Sequence, residues 1–233
     1  MGLVVPAVLP SSHDDLVEKL KRFALLPLVD RVQIDVVDGR FASPMSWPYT
    51  MPKDIHDMVN QDVMLPHLDR ITYEIDLMCL DAERAADAWL ELGASRLTFH
   101  AEGLLDISKS LASMKKRYGD TLVSFGLALN VTSDISLIEP YTASIDYVQF
   151  MGIASIGKQG QPFDKRVLEK LRLFRARHRD MPVQIDGGVT LLTARELIEL
   201  NVSNLIVGSA IVRAANPAAL IEKFEALQNP FGV

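Results

Sequence analysis

Eight short apolar runs, rich in β-branched and aromatic residues, constrain the fold of this chain more than any other feature. Segments with the 3.6-residue periodicity of amphipathic helices lie between them, and several begin with Ser, Thr or Asp. The second connection places its helix near residues 52–60, whereas the fifth leaves room for only a turn or two of helix. The eight runs occupy residues 3–9, 31–37, 71–78, 95–100, 122–129, 144–151, 182–186 and 203–208.

This alternation of strand and helix predicts an α/β protein with a parallel sheet and right-handed crossovers. Eight repeats in a chain of 233 residues favour a closed (β/α)8 barrel of the TIM type. An open, doubly wound sheet is the alternative. Because no linker, low-complexity tract or change of composition interrupts the repeats, we expect one domain over residues 1–233.

Composition and charge argue against several classes of partner. The chain has 24 basic and 30 acidic residues, a net charge of -6, and no long basic run. We therefore expect neither nucleic acid nor an anionic membrane as a partner. No apolar run is long enough to span a bilayer, and the N-terminal residues lack the pattern of a signal peptide. The single cysteine, Cys79, fits a reducing compartment, so we expect a cytoplasmic protein.

Three carboxylates lie within or at the ends of predicted strands, where such barrels place their chemistry. Asp35, Asp76 and Asp186 belong to the second, third and seventh strands. A buried ionised carboxylate needs a partner, so their convergence at one barrel mouth indicates a bound cation or a shared proton.

Asp35 and Asp186 also have the placement that a two-base proton transfer requires. Their strands are three steps apart around a ring of eight, so the two carboxyl groups can approach a substrate from different sides. One can remove a proton from a carbon next to a carbonyl, and the other can return a proton to the opposite face. The structural alternatives are a bond from Asp35 to a helix start and a turn opened by Asp186.

Two glycine-containing turns predict an anion site after the last two strands. They are Asp186-Gly187-Gly188 and Gly208-Ser209-Ala210. Small residues at these positions let backbone N–H groups close on a phosphate, with help from the start of a short helix. The loop at 152–161, after the sixth strand, is rich in small residues and predicts a mobile lid, although an ordinary connection fits the same pattern.

Motifs that follow the strands carry a resemblance to a known family over nearly the whole chain. Together they resemble the ribulose-phosphate 3-epimerase family, whose second-strand motif is His-x-Asp-x-Met-Asp-Gly-x-Phe. The motifs are Gln-Ile-Asp-Val-Val-Asp-Gly-Arg-Phe (33–41), Glu-Ile-Asp-Leu-Met (74–78), Phe-His-Ala-Glu (99–102), the loop 151–161, Ile-Asp-Gly-Gly-Val (185–189) and Val-Gly-Ser-Ala-Ile (207–211).

The resemblance implies a metal-assisted 3-epimerisation of a ketose phosphate, such as the interconversion of D-ribulose 5-phosphate and D-xylulose 5-phosphate. Two aspartates would move protons, a divalent ion would hold the enediolate, and the protein would be a homo-oligomer. By this resemblance Asp35 and Asp186 form the acid/base pair. The residues implied in substrate or phosphate binding are Met78, Met151, Gly187, Gly188, Gly208 and Ser209.

Departures from the family pattern fall on the metal site. Gln33 and Asp76 stand where the family has histidines, Ala7 replaces a serine and Val37 replaces a methionine. The implied metal ligands, Gln33, Asp35, Asp76 and Asp186, would all bind through oxygen, which favours Mg²⁺ or Mn²⁺ over Zn²⁺ or Fe²⁺. Without an ion, at least one of the three carboxyl groups should take up a proton.

Two other functions remain open at this point. The loss of both histidines and the serine suits a non-catalytic paralogue that binds sugar phosphates. A different phosphosugar reaction on the same barrel is the other, as in decarboxylases with an Asp-x-Lys-x-x-Asp signature. The corresponding segments of this chain, 35–38 and 76–79, contain no lysine.

Overall fold

A closed barrel of eight parallel strands forms the centre of the molecule, in a computed structural model that describes residues 2–119 and 122–228. The strands follow one another around the barrel in chain order, and pairing of Val4 with Leu205 joins the first to the last. This closure confirms the (β/α)8 fold and excludes the open sheet. The strands are β1 (Val4–Val8), β2 (Arg31–Val37), β3 (Thr72–Met78), β4 (Arg96–His100), β5 (Ser124–Leu129), β6 (Tyr147–Met151), β7 (Val183–Asp186) and β8 (Asn204–Val207).

Helices connect the strands, with one exception. Between β5 and β6 the chain forms only two 3₁₀ segments, Ile135–Leu137 and Glu139–Ser144, as the short apolar pattern there predicts. The helix of the second connection lies where the sequence places it. The helices are α1 (His13–Ala24), α2 (Pro52–Asn60), α3 (Ala82–Glu91), α4 (Ile107–Tyr118), α5 (Arg166–Arg177), α6 (Leu191–Glu199), α7 (Ser209–Val212) and α8 (Pro217–Glu225).

Side-chain caps explain where several helices begin. Ser12 accepts a hydrogen bond from the backbone N–H of Asp15 at the start of α1. Thr190 and Thr193 form reciprocal bonds at the start of α6, and Asn216 caps α8 ahead of a proline. Each cap satisfies a backbone N–H that has no acceptor within its helix, worth about 1 kcal/mol.

The hydrophobic core lies between the strands and the surrounding helices. Outward-facing strand residues such as Ile34 and Ile75 are fully buried against it. Trp47 and Trp89, both fully buried, meet edge to face with their ring centroids 5.8 Å apart. Full burial of one large apolar side chain contributes about 1.5–3 kcal/mol, so this layer supplies most of the stabilisation.

The barrel interior is polar and extensively hydrogen-bonded. Glu74, fully buried, accepts from Arg96 Nε at 3.0 Å and from Thr98 Oγ1 at 3.1 Å. Gln184 Nε2 donates to Glu74 and also to Gln149 Oε1, the latter at 2.8 Å. These bonds compensate the desolvation of Glu74 and fix the side chains beneath the barrel mouth.

No helix within residues 2–119 and 122–228 combines the length and apolar character needed to cross a membrane.

The register of the strands decides which side chains meet in the barrel. Asp35 pairs with Asp76 across β2 and β3, and Met151 pairs with Asp186 across β6 and β7. The predicted site residues therefore lie at the carboxyl ends of their strands, on one side of the barrel.

Candidate active site

Gln33 and Asp35 point into the barrel from the same face of β2, because side chains two residues apart in a strand share a face. The Gln33 amide nitrogen Nε2 donates to Asp35 Oδ1 at 2.9 Å and to Asp186 Oδ2 at 3.1 Å. A single fully buried amide therefore joins the two predicted acid/base residues. The other end of this amide, Oε1, is buried without a hydrogen-bond partner.

Asp76 completes a group of three carboxylates at the barrel mouth. One oxygen from each of Asp35, Asp76 and Asp186 lies within 4.8 Å of the others. Asp76 is held in place by His100 Nε2 at 2.9 Å and by Gln149 Nε2 at 3.2 Å. The structure thus brings together all three aspartates that the sequence singled out.

Burial dominates the titration of this cluster. It raises the pKa of Asp35 to about 8, the nearby Asp76 carboxylate acts in the same direction, and the hydrogen bond from Gln33 opposes them. Burial, followed by the charges of Asp35 and Asp76, likewise raises the pKa of Asp186 well above its usual range. Burial disfavours the charged form of His100, but the adjacent Asp76 carboxylate outweighs it and raises the pKa of the imidazole. The pair Asp35 and Asp186 therefore retains a proton near neutral pH.

The donor set fits an oxygen-coordinated divalent ion. Three carboxylates converge within 4.8 Å, and the unpartnered Oε1 of Gln33 would become a fourth oxygen ligand if its amide rotated. Carboxylate and amide oxygens suit hard ions such as Mg²⁺ and Mn²⁺. A cation here would also relieve the repulsion among the three carboxylates.

A cavity of about 350 Å³ opens above the carboxylates. Asp35 and Asp186 line it together with Met78 and Met151 and both glycine turns, Gly187-Gly188 and Gly208-Ser209. The backbone N–H groups of Gly188 and Ser209 donate to no acceptor within the described residues. The cavity therefore has an acidic floor and a second region lined by free backbone donors.

Close packing explains the glycines after β7. Gly187 and Gly188 have φ values of +101° and +67°, in the region that favours glycine. A Cβ on Gly188 would lie 2.6 Å from the backbone of Phe163, and a Cβ on Gly187 would lie 2.7 Å from Ile153. The turn is therefore fixed by packing as well as suited to an anion.

The loop 152–161, hereafter the lid loop, covers one side of the cavity. The Gln161 side chain ties it together, since its Nε2 donates to Ser155 O and to Lys158 O, the latter at 2.8 Å, and its Oε1 accepts from Ser155 N at 3.3 Å. A Cβ on Gly157 would lie 3.1 Å from the Cβ of Ala42, so the lid loop also packs against the loop that follows β2.

Other polar residues near the strand ends have structural roles. Asp38 Oδ1 accepts from the backbone N–H groups of Arg40 and Phe41, both at 2.7 Å, and its Oδ2 accepts from Leu80 N at 2.9 Å. Glu102 accepts from Asn130 N at 2.8 Å. These acids organise loops and do not line the cavity.

The sequence analysis singles out neither Gln149, which orients Asp76, nor Arg213 of the cavity wall, and it includes Lys158 and Gln159 only as members of the lid loop. The period-2 pattern of β6 could have found Gln149, because Tyr147, Gln149 and Met151 share a face. No local pattern marks Arg213, which lies at the end of α7.

The fold and the site define a (β/α)8 barrel with an acidic cluster and glycine turns at the carboxyl ends of its strands. A family model described as the ribulose-phosphate 3 epimerase family matches residues 3–212. The chain belongs to this family, which is named for an isomerase of a sugar phosphate.

Individual relatives agree with that assignment. The chain is 23% identical over 192 residues to a ribulose-phosphate 3-epimerase of Schizosaccharomyces pombe, covering 82% of this chain and 79% of the relative. It is 28% identical over 187 residues to the enzyme of the same name from Bacillus subtilis, covering 78% and 79%. Among solved structures, a 3-hexulose-6-phosphate synthase superposes with a TM-score of 0.69 at 19% identity, covering 97% of this chain and 99% of that one. This last similarity concerns the fold alone.

Proposed function

We propose that the protein catalyses the 3-epimerisation of a ketose phosphate, such as D-ribulose 5-phosphate, by proton transfer between substrate and two aspartates. The observation that carries the proposal is the convergence of Asp35 and Asp186, from opposite parts of the barrel, on one cavity. Family membership supports the same reaction class.

The two aspartates divide the proton transfer between them. As a base, one carboxylate removes the proton from C3 of the ketose, and the electron pair of that bond passes toward the C2 carbonyl oxygen to give an enediolate. The other carboxyl group then donates its proton to the opposite face of C3, and the carbonyl re-forms. The pair suits this exchange because their raised pKa values leave a proton on the pair near neutral pH.

Neighbouring residues hold Asp35 and Asp186 in position beside the substrate. Gln33 fixes the separation of Asp35 and Asp186, while the lid loop and the methionines exclude water from the reacting carbon. Gln33, Asp35, Asp76 and Asp186 would hold a divalent ion, which when bound neutralises the negative charge that develops on the substrate oxygens. The free N–H groups at Gly188 and Ser209 would face the phosphate.

Isotope exchange tests the proposal directly. The protein is incubated in deuterated water with D-ribulose 5-phosphate, or with D-allulose 6-phosphate, and with Mg²⁺, Mn²⁺, Zn²⁺ or Fe²⁺ in turn. We expect deuterium at C3, and we expect Asp186→Asn to slow its incorporation by at least about 100-fold. Asp180→Asn, at an exposed position, is the matched control and should behave as wild type. Absence of deuterium at C3 with every metal would refute the epimerase.

A non-catalytic sugar-phosphate-binding protein is the second candidate, favoured by the replacement of both family histidines with Gln33 and Asp76. Calorimetry separates the two functions. Binding of D-ribulose 5-phosphate without any isotope exchange would support the binding protein.

A further inference from the structure

Arg213 brings a guanidinium group to the cavity that holds Asp35 and Asp186. A Cβ built on Gly160 of the lid loop would lie 3.6 and 3.7 Å from the two terminal nitrogens of Arg213 and 3.9 Å from Ser209 Oγ. The fork of the guanidinium and the serine hydroxyl therefore border the same small space. Gly160 has no side chain to fill it.

The donors around this space have no acceptors of their own. Within residues 2–119 and 122–228, neither the Arg213 guanidinium nor the Ser209 hydroxyl takes part in a hydrogen bond or ion pair. Two surface arginines outside the cavity, Arg166 and Arg177, instead each bind a carboxylate, at 2.6 and 2.8 Å. An arginine left unpaired beside a cavity is available to a ligand.

The lid loop adds donors of the same kind. Gln159 Nε2 is buried without a partner in good hydrogen-bond geometry, although the Gln159 side chain lies close enough to Asp35 to lower the pKa of that carboxyl group. A Cβ on Gly208 would lie 2.6 Å from Gln159 Nε2. Lys158 lines the cavity as well. The charged residues of the cavity wall are thus two acids, Asp35 and Asp186, and two bases, Lys158 and Arg213. Such a division suits a ligand with a phosphate at one end and a reacting carbon at the other.

We propose that Arg213 binds the phosphate dianion of the substrate directly and is a determinant of specificity for phosphorylated over unphosphorylated sugars. The planar fork of a guanidinium matches two phosphate oxygens, and its charge adds attraction that neutral backbone N–H groups supply only weakly. The identity of the sugar rests on the proposed function, but recognition of the phosphate does not.

Binding of probes that cannot be epimerised tests Arg213 independently of turnover. Inorganic phosphate and glycerol 3-phosphate are titrated into wild type, Arg213→Gln and Arg213→Lys by calorimetry. We expect Arg213→Gln to weaken both by about tenfold or more, and Arg213→Lys to lie between it and wild type. The difference between wild type and Arg213→Gln should shrink as salt is added, because Arg213 is exposed to solvent.

Arg195→Gln is the matched control, because Arg195 is also exposed and carries the same charge on α6 without lining the cavity. It should bind both probes as wild type does. Wild-type affinity in Arg213→Gln, or no binding of either probe by wild type, would overturn the inference. Phosphate binding that depends on Arg213 in a protein that fails to exchange deuterium would refute the epimerase and support this role.

Discussion

Gln33 joins the two proposed acid/base residues through one amide nitrogen. Its Nε2 carries two protons, and each is directed at a different carboxylate, those of Asp35 and Asp186. These bonds lower the pKa of both carboxyl groups against the effect of burial. A histidine at this position could direct at most one N–H from a given ring nitrogen at the pair, whereas the amide nitrogen donates to both carboxylates. Glutamine in place of histidine at position 33 therefore changes the hydrogen bonding of Asp35 and Asp186 as well as the set of residues that could bind a metal ion.

Replacement of Gln33 by leucine tests whether the amide also serves a divalent ion. We expect Gln33→Leu to weaken Mn²⁺ binding by at least about tenfold, since it removes one oxygen ligand and leaves two buried carboxylates without their shared donor. Calorimetric titration of the chelator-treated protein with Mn²⁺ is the measurement. Gln61→Leu, at an exposed position, is the control. Equal affinities in Gln33→Leu and wild type would show that the ion does not use the amide.

The sequence predicts the acidic residues of this site better than its supporting residues. Asp35 and Gln33 were expected to share an inward face because strand periodicity is a local property. Gln149 and Arg213 reach the site from β6 and from the end of α7, and only the closed barrel brings them near β2 and β7. Such convergence depends on tertiary structure, which a short motif does not encode.

At the scale of elements, the lid loop is organised mainly by one side chain. Gln161 bonds to Ser155 and Lys158, and Gly157 packs against Ala42 in the loop after β2. The small residues of this segment predict a mobile lid. The hydrogen bonds of the Gln161 side chain hold the loop together, so removal of this side chain should loosen it.

Removal of the Gln161 side chain should expose the lid loop to proteolysis. We expect Gln161→Ala to speed tryptic cleavage after the exposed Lys158 several-fold, because the loop loses the bonds that close it. Cleavage is followed by mass spectrometry under native conditions. Cleavage after Lys165, exposed just outside the loop, provides an internal reference and should keep its wild-type rate. If both sites respond equally, the effect is global destabilisation and the loop-specific role is wrong.

At the scale of the whole molecule, the barrel by itself does not specify the reaction. The 3-hexulose-6-phosphate synthase that shares this fold is named for a reaction other than epimerisation. The eight strands and most of the helices between them could be recognised in the sequence because each is marked by its own periodicity. What distinguishes members of this architecture is the set of side chains at the carboxyl ends of the strands. In this chain that set is Gln33, Asp35, Asp76 and Asp186, and the basic residues Lys158 and Arg213 lie nearby on the cavity wall.

The raised pKa of Asp35 makes the stability of the whole metal-free protein dependent on pH. Its folded-state pKa is about 8 and its usual value is 3.8, so between these limits the folded protein binds more protons than the unfolded chain. The free energy of unfolding therefore falls as pH rises through this window, by up to about 1.4 kcal/mol per pH unit from this group. The raised pKa of Asp186 acts with the same sign.

Urea denaturation of the chelator-treated protein at about pH 5, 6, 7 and 8 measures how the free energy of unfolding changes with pH. We expect Asp35→Asn to flatten the decline, because the amide does not titrate, whereas Asp180→Asn at an exposed position should retain it. Added Mn²⁺ should stabilise the wild type more at pH 8 than at pH 5, because the ion binds the deprotonated carboxylates. An Asp35→Asn protein with the wild-type slope would place the titrating proton on a group other than Asp35, and the acid/base role of Asp35 would lose its electrostatic basis.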